Sequence, residues 1–245
     1  MQTTEISTAP ISQRTEPVGD GSDRDLTQGS TALSWPGCFM EPTARIIDPC
    51  RALTAQQAPS LTSILEVAGQ IELSSADLDA LALPDHAHPY GRRVLLADPQ
   101  LEVMIATWTP GVPCAPHDHG GSVGGVRVLR GQSRHRIYTI ADGELVLCRE
   151  HVASPGEILS FGPNLIHSMT SEDPDTPLMT LHFYTNAIEM MLVYTDSETL
   201  AVEGSCGAWV PEDPADIRAR VSGVISRDDL VSRLGLRTAA SPAGD

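Results

Sequence analysis

The chain has 245 residues, enough for one sizeable core with appendages, and its formal charge of −16 (16 basic, 32 acidic) argues against nucleic acid or an anionic membrane as partner, since both require a basic surface. Apolar residues make up 41% but Phe, Trp and Tyr only 4%, so the core must be built from Val, Ile, Leu, Ala and Met, which suits short β-strands. Five scattered cysteines (Cys38, Cys50, Cys114, Cys148, Cys206) contain no CxxC pair, which argues against a disulfide framework or zinc knuckle. With no basic-then-apolar leader and no long apolar run, the expectation is a cytoplasmic protein that does not span a membrane.

In chain order, residues 1–40 open on Thr, Ser, Gly, Gln and Asp and are predicted to form a disordered tail, because they carry too little apolar surface to offset ordering entropy. A domain is expected over 41–204, with a helical lead-in to about residue 85. There SLTSILEVAGQ and SSADLDALAL place apolar residues at three- and four-residue spacing behind serines, which predicts two short helices. From about 90 to 196 the pattern becomes brief β-branched runs separated by Gly, Pro and Asp: RRVLLA, LEVMIATW, GGVRVLR, HRIYTI, ELVLCRE, EILSF, LIHSM, LMTLHFYT and MMLVYT. Nine or so strands without intervening helices predict an all-β core, a jelly-roll or barrel. Residues 205–245 are expected to be a C-terminal helical extension with a frayed end, Ser226 and Asp229 having capping-box spacing ahead of Leu230 and Leu234.

The chemistry concentrates in Gly111-Val-Pro-Cys-Ala-Pro-His117-Asp-His119, followed by Gly131 at a hairpin-like position and by His167 in FGPNLIHSM. In a strand, residues two apart share a face, so His117 and His119 can both enter the interior, where His167 from a facing strand joins them. Three neutral imidazoles suit Fe(II), Zn, Cu or Ni and leave coordination positions open. His86-Ala-His88, between prolines with no strand after it, is expected to be a loop pair. His135 and His151 are expected to be exposed strand or turn residues.

These residues resemble the cupin superfamily and, within it, the cysteine dioxygenase family of thiol dioxygenases. The first cupin motif, G-x5-H-x-H-x3,4-E-x6-G, is met at Gly111, His117, His119 and Gly131, with Val123 and Gly124 where its glutamate would fall, as in thiol dioxygenases. The resemblance runs from about Tyr90 to Tyr194 and more loosely back to about residue 45. It implies a cupin jelly-roll β-barrel with short flanking N- and C-terminal helices, and Fe(II) held by His117, His119 and His167.

Tyr90-Gly91-Arg92 occupies the family's Tyr-x-Arg element, so Tyr90 and Arg92 would bind substrate, Arg92 through its carboxylate. Thr180-Leu-His182-Phe-Tyr184 looks like the Ser-x-His-x-Tyr relay, with threonine in place of serine. Its spacing puts Thr180, His182 and Tyr184 on one strand face, either lining a catalytic cavity or forming the solvated face of an edge strand. Gly124 matches the cysteine that crosslinks to the tyrosine in animal members, so Tyr184 is expected to be a free phenol. Cys114, near His117, is read as a buried thiol.

The implied activity is oxidation of a small thiol by O2 to its sulfinic acid, cysteine being favoured. The enzyme is expected as a monomer or weak homo-oligomer. A 3-mercaptopropionate dioxygenase is the nearest alternative, although such enzymes usually have glutamine where Arg92 lies. A metal-bearing cupin isomerase or decarboxylase, or a ligand-binding cupin, would share the histidines but have no use for the relay.

Overall fold

A computed structural model describes residues 41–55, 59–85, 87–195, 198–209 and 221–225. Three helices lead in: α1 (Pro42–Thr54), α2 (Leu61–Gln70) and α3 (Ser75–Leu81). The serine caps are as expected. Ser60 accepts the Ser63 amide at the start of α2, and Ser74 with Asp77 forms a reciprocal capping box on α3. The first helix was not expected. Pro49 lies inside it and interrupts the sequence pattern, yet Pro42 sits at its first turn and Ile46 and Cys50, four residues apart, are its buried stripe.

All nine expected strands are present: β1 (Tyr90–Asp98), β2 (Leu101–Trp108), β3 (Gly124–Arg130), β4 (Ser133–Ala141), β5 (Glu144–Ala153), β6 (Ile158–Phe161), β7 (Ile166–Ser171), β8 (Met179–Tyr184) and β9 (Met190–Tyr194). Two more follow, β10 (Thr199–Glu203) and β11 (Val221–Ile225). Residues 221–225, expected within the helical C-terminal extension, thus form a strand antiparallel to β10. The helix expected around Ser226 and Asp229 and the tail at 1–40 lie outside the described residues.

One sheet has the order β1-β2-β8-β3-β6. Facing it are β5-β4-β7 and β11-β10-β9, stitched together by the extended segment around His117, which bridges His167 of β7 and Val193 of β9. Gly131, at φ 71°, turns the chain from β3 in the first sheet to β4 in the second, so it makes a crossover and not a hairpin.

The central strands β2 and β8 are buried along their whole length because the sheet is covered on both faces. Val103, Ile105, Met179, Leu181 and Phe183 pack against Ile46, Ile64, Ala68, Leu78 and Leu81 of the helices. Met104, Ala106, Trp108 and Tyr184 point the other way, against Met169, Met191 and Val193 of the facing sheet. Each fully buried Leu or Ile here is worth about 1.5–3 kcal/mol, so the helices are held by the sheet rather than by their own propensity. No helix among the described residues is long and apolar enough to cross a membrane.

Candidate metal centre

The segment carrying His117 and His119 is extended but not a regular strand; His117 makes only isolated bridges. Its backbone N–H donates to the His167 carbonyl at 2.9 Å and its carbonyl accepts from His167 N–H at 3.0 Å. This reciprocal pair locks the first histidine beside the third. Asp118, between the two histidines, faces away and accepts from the amides of Gly120 (3.1 Å) and Leu192 (2.9 Å), which holds the bend that returns His119 inward.

His117, His119 and His167 are all buried, and one ring nitrogen from each lies within 4.8 Å of the others. The Nε2 atoms of His119 and His167 are 3.1 Å apart. Two nitrogens bound at about 2.1 Å and at right angles to one cation would stand about 3.0 Å apart, so this pair already has the spacing of adjacent ligands. His117 Nδ1 lies 2.9 Å from the Ala115 carbonyl, an acceptor only, so Nδ1 carries the proton and Nε2 presents its lone pair. Burial, foremost, pushes His117 down to about 4 and His119 and His167 well below the ordinary histidine range. Neutral imidazole is the form a cation needs. The triad therefore fits a metal ion and forms a candidate site for one, with no fourth His, Cys, Asp or Glu grouped with it among the described residues. Cys114 is a buried thiol behind His117, raised to about 12 by its burial.

Thr180, His182 and Tyr184 line the interior face of β8, which settles the choice between cavity face and solvated edge. They form a chain. Trp108 Nε1–H donates to Thr180 Oγ1 at 2.8 Å; Thr180 Oγ1 is 2.7 Å from His182 Nε2, and His182 Nδ1 is 3.0 Å from Tyr184 Oη. Indole N–H can only donate, so Thr180 accepts from Trp108; the direction that pairs the buried Thr180 O–H has it donating to His182 Nε2, with His182 Nδ1–H donating to Tyr184. The tyrosine proton is then left for the cavity. Burial holds His182 neutral, at about 3, and Tyr184 well above the usual phenol value, so the direction is not scrambled by titration. Trp108 was missed in the sequence, although it shares a face of β2 with Met104 and Ala106.

Tyr90 and Arg92 border the same cavity as His117, His119 and Tyr184, a space of about 20 Å³. Tyr90 Oη accepts the Ala208 amide at 2.8 Å and so fixes the segment after β10. Arg92 uses three of its five N–H donors within the protein: Nε on Met104 Sδ at 3.1 Å, Nη1 on the Gly204 carbonyl at 3.0 Å, and Nη2 on Glu102 at 2.8 Å. Glu102 is a second residue that sequence reasoning missed. At Gly124 a Cβ would stand 1.9 Å from the Phe183 carbonyl oxygen and 2.9 Å from Phe161, so the backbone itself demands glycine opposite Tyr184.

His135 is buried, contrary to expectation, with its ring 6.0 Å from that of His167. It follows the inward phase of β4, whose outward residues Arg134 and Arg136 pair with Glu150. His135, the half-buried His151 and His167 border a larger cavity, about 300 Å³. His88 stacks on Trp209 at 4.6 Å; His86 lies outside the described residues.

A family profile for cysteine dioxygenase type I matches residues 45–197. The chain belongs to that family. The match runs from within α1 through β9, and it supports a cupin-type thiol dioxygenase. Among solved structures, the chain is similar to an uncharacterized conserved protein with a double-stranded β-helix domain from Klebsiella pneumoniae, at 18% identity over 51% of this chain and 96% of that one, TM-score 0.38. It is also similar to an oxalate decarboxylase from Lactobacillus farciminis, at 16% identity over 47% of this chain and 34% of that one, TM-score 0.38.

Proposed function

We propose that the chain is an iron-dependent thiol dioxygenase that converts a small thiol, cysteine foremost, and O2 to the corresponding sulfinic acid. The observation that carries this is the gathering of Arg92, Tyr184, His117 and His119 around one cavity, with the relay behind Tyr184 and His167 closing the triad. Catalysis is assigned to residues 41–204, working in a reducing cytosol as a monomer or weak homo-oligomer.

Fe(II) held by His117, His119 and His167 would supply a site for the thiolate and reactivity towards O2. The protein's own groups do the rest. Arg92 takes the substrate carboxylate, since a planar guanidinium offers two parallel donors and stays charged, and this fixes the sulfur next to the oxygen. Tyr184, its hydroxyl oxygen held by His182, directs its proton into the cavity, where it can donate to oxygen or carboxylate. Thr180 and Trp108 hold His182 in the tautomer that makes this possible. Thiolate and O2 sum to sulfinate, both oxygen atoms ending on sulfur, so no external reductant enters.

The test is O2 uptake by anaerobically iron-loaded protein offered cysteine, 3-mercaptopropionate and cysteamine in parallel, with sulfinate detected by mass. Oxidation of cysteine to its sulfinate is expected. The Tyr184→Phe variant should keep its iron and lose turnover. If no thiol is oxidised by the iron-loaded wild type, the assigned chemistry is wrong; if the variant turns over normally, the relay has no part in it.

A further inference from the structure

Glu102 is a buried acidic side chain in a strand whose other residues, Thr107 apart, are all apolar. It lies in phase with Met104, Ala106 and Trp108 on the cavity face of β2, and its cross-strand partner is Tyr184. Its side chain is 7% exposed, and its Oε1 is 2.8 Å from Arg92 Nη2. A charge placed so deep is costly unless it acts on a neighbour, and the neighbour here is the guanidinium that the dioxygenase reading assigns to substrate.

A guanidinium grips a carboxylate with two prongs, either Nε with Nη2 or Nη1 with Nη2. Both grips use Nη2, the atom Glu102 holds. The second prong of each also carries one bond, Nε to Met104 Sδ and Nη1 to the Gly204 carbonyl, which leaves one further N–H on each Nη. With about 20 Å³ of space in front of it, the site has room for about one water. A carboxylate gripped by two prongs must therefore share Nη2 with Glu102 and stand beside its charge. Because Arg92 and Glu102 cancel, the polar end of the cavity is a neutral pair and not a bare cation. A thiol whose only other charge is a carboxylate brings a second anion beside Glu102 in a region of low dielectric. A thiol that also carries an ammonium group meets Glu102 with the opposite charge.

We propose that Glu102 is a specificity-determining residue: paired with Arg92, it makes the site select thiols that bear an ammonium group, with or without a carboxylate, over thiols that bear a carboxylate alone. This rests on the thiol dioxygenase reading and narrows it to aminothiols.

The test compares wild type with Glu102→Gln, which keeps an oxygen acceptor for Arg92 and removes the charge. Iron-loaded protein is titrated anaerobically by calorimetry with cysteine, cysteamine and 3-mercaptopropionate, and kcat/KM is measured for each in air. In the variant the preference for cysteamine over 3-mercaptopropionate should fall by about tenfold or more, in binding and in kcat/KM alike. Glu102→Asp, which retains the charge, should keep the wild-type order. Glu102→Met, uncharged and of similar length, repeats the test if the glutamine variant does not fold. A preference unchanged within about twofold in a folded uncharged variant overturns the proposal. If wild type binds the thiols but oxidises none, the dioxygenase reading has failed, while the binding ratios still decide the part played by Glu102.

Discussion

Replacing Thr180 by valine tests the relay most sharply, because the change preserves shape and deletes only a hydroxyl. In the structure that oxygen accepts from Trp108 Nε1–H at 2.8 Å and lies 2.7 Å from His182 Nε2, with Thr180 fully buried. Thr180→Val thus leaves an indole donor and an imidazole nitrogen in the core without partners. Each orphaned group costs about 1–3 kcal/mol, together about 2–6 kcal/mol. Thr180→Ser keeps the hydroxyl and loses one methyl, about 1 kcal/mol. The order of stability should be wild type, then Thr180→Ser, then Thr180→Val. In a domain of this size each kcal/mol is worth roughly 2–4 °C in Tm, and urea denaturation gives the same order. The valine variant should also lose kcat with its iron content intact, since Tyr184 loses its oriented partner. A valine variant as stable as the serine variant would refute the hydrogen-bond chain as drawn.

Removing one imidazole with His167→Ala should weaken iron binding by more than about 100-fold, measured as iron per chain after desalting. Undiminished iron would place the metal elsewhere. Gly124→Cys should destabilise the fold by about 3 kcal/mol and yield no thioether-linked species by intact mass, because its Cβ meets the Phe183 carbonyl at 1.9 Å. A stable crosslinked variant would show that β3 can give way. Acid should weaken the fold through its buried histidines. His135 is pushed down to about 4 from an ordinary 6.5, mainly by burial, so the unfolded chain takes up the proton first. The stability is present above about 6.5 and is lost as pH falls towards 4, so the urea midpoint should drop between pH 7 and pH 5 and drop less in His135→Leu. Equal slopes in the two proteins would rule His135 out.

Much of this architecture was legible because period-two alternation survives in short strands. Every run from RRVLLA to MMLVYT became a strand, and the Thr180, His182 and Tyr184 stripe faced inward. Helix α1 was not legible because Pro49 breaks the pattern that Ile46 and Cys50 begin. Strands β10 (TLAVE) and β11 (VSGVI) were not legible because each has only two or three large apolar residues, set among polar and glycine neighbours. The burial of His135 and the inward place of Glu102 were both written in the phase of their strands: Arg134 and Arg136 mark the outer face of β4, and Met104 and Trp108 the inner face of β2. What no sequence pattern carries is contact across the fold. Arg92 meets the Gly204 carbonyl 112 residues away, and Trp108 meets Thr180 72 residues away, through chain topology alone.

The central claim is that His117, His119 and His167 converge on one cation whose remaining positions are open to substrate. Anomalous diffraction from crystals grown and soaked with Fe(II) under anaerobic conditions tests it directly. The account predicts one strong iron peak about 2.1 Å from a nitrogen of each of the three rings, with Tyr184 and Arg92 facing its open side. A peak elsewhere, or a fourth protein side chain closing the coordination shell, would contradict it.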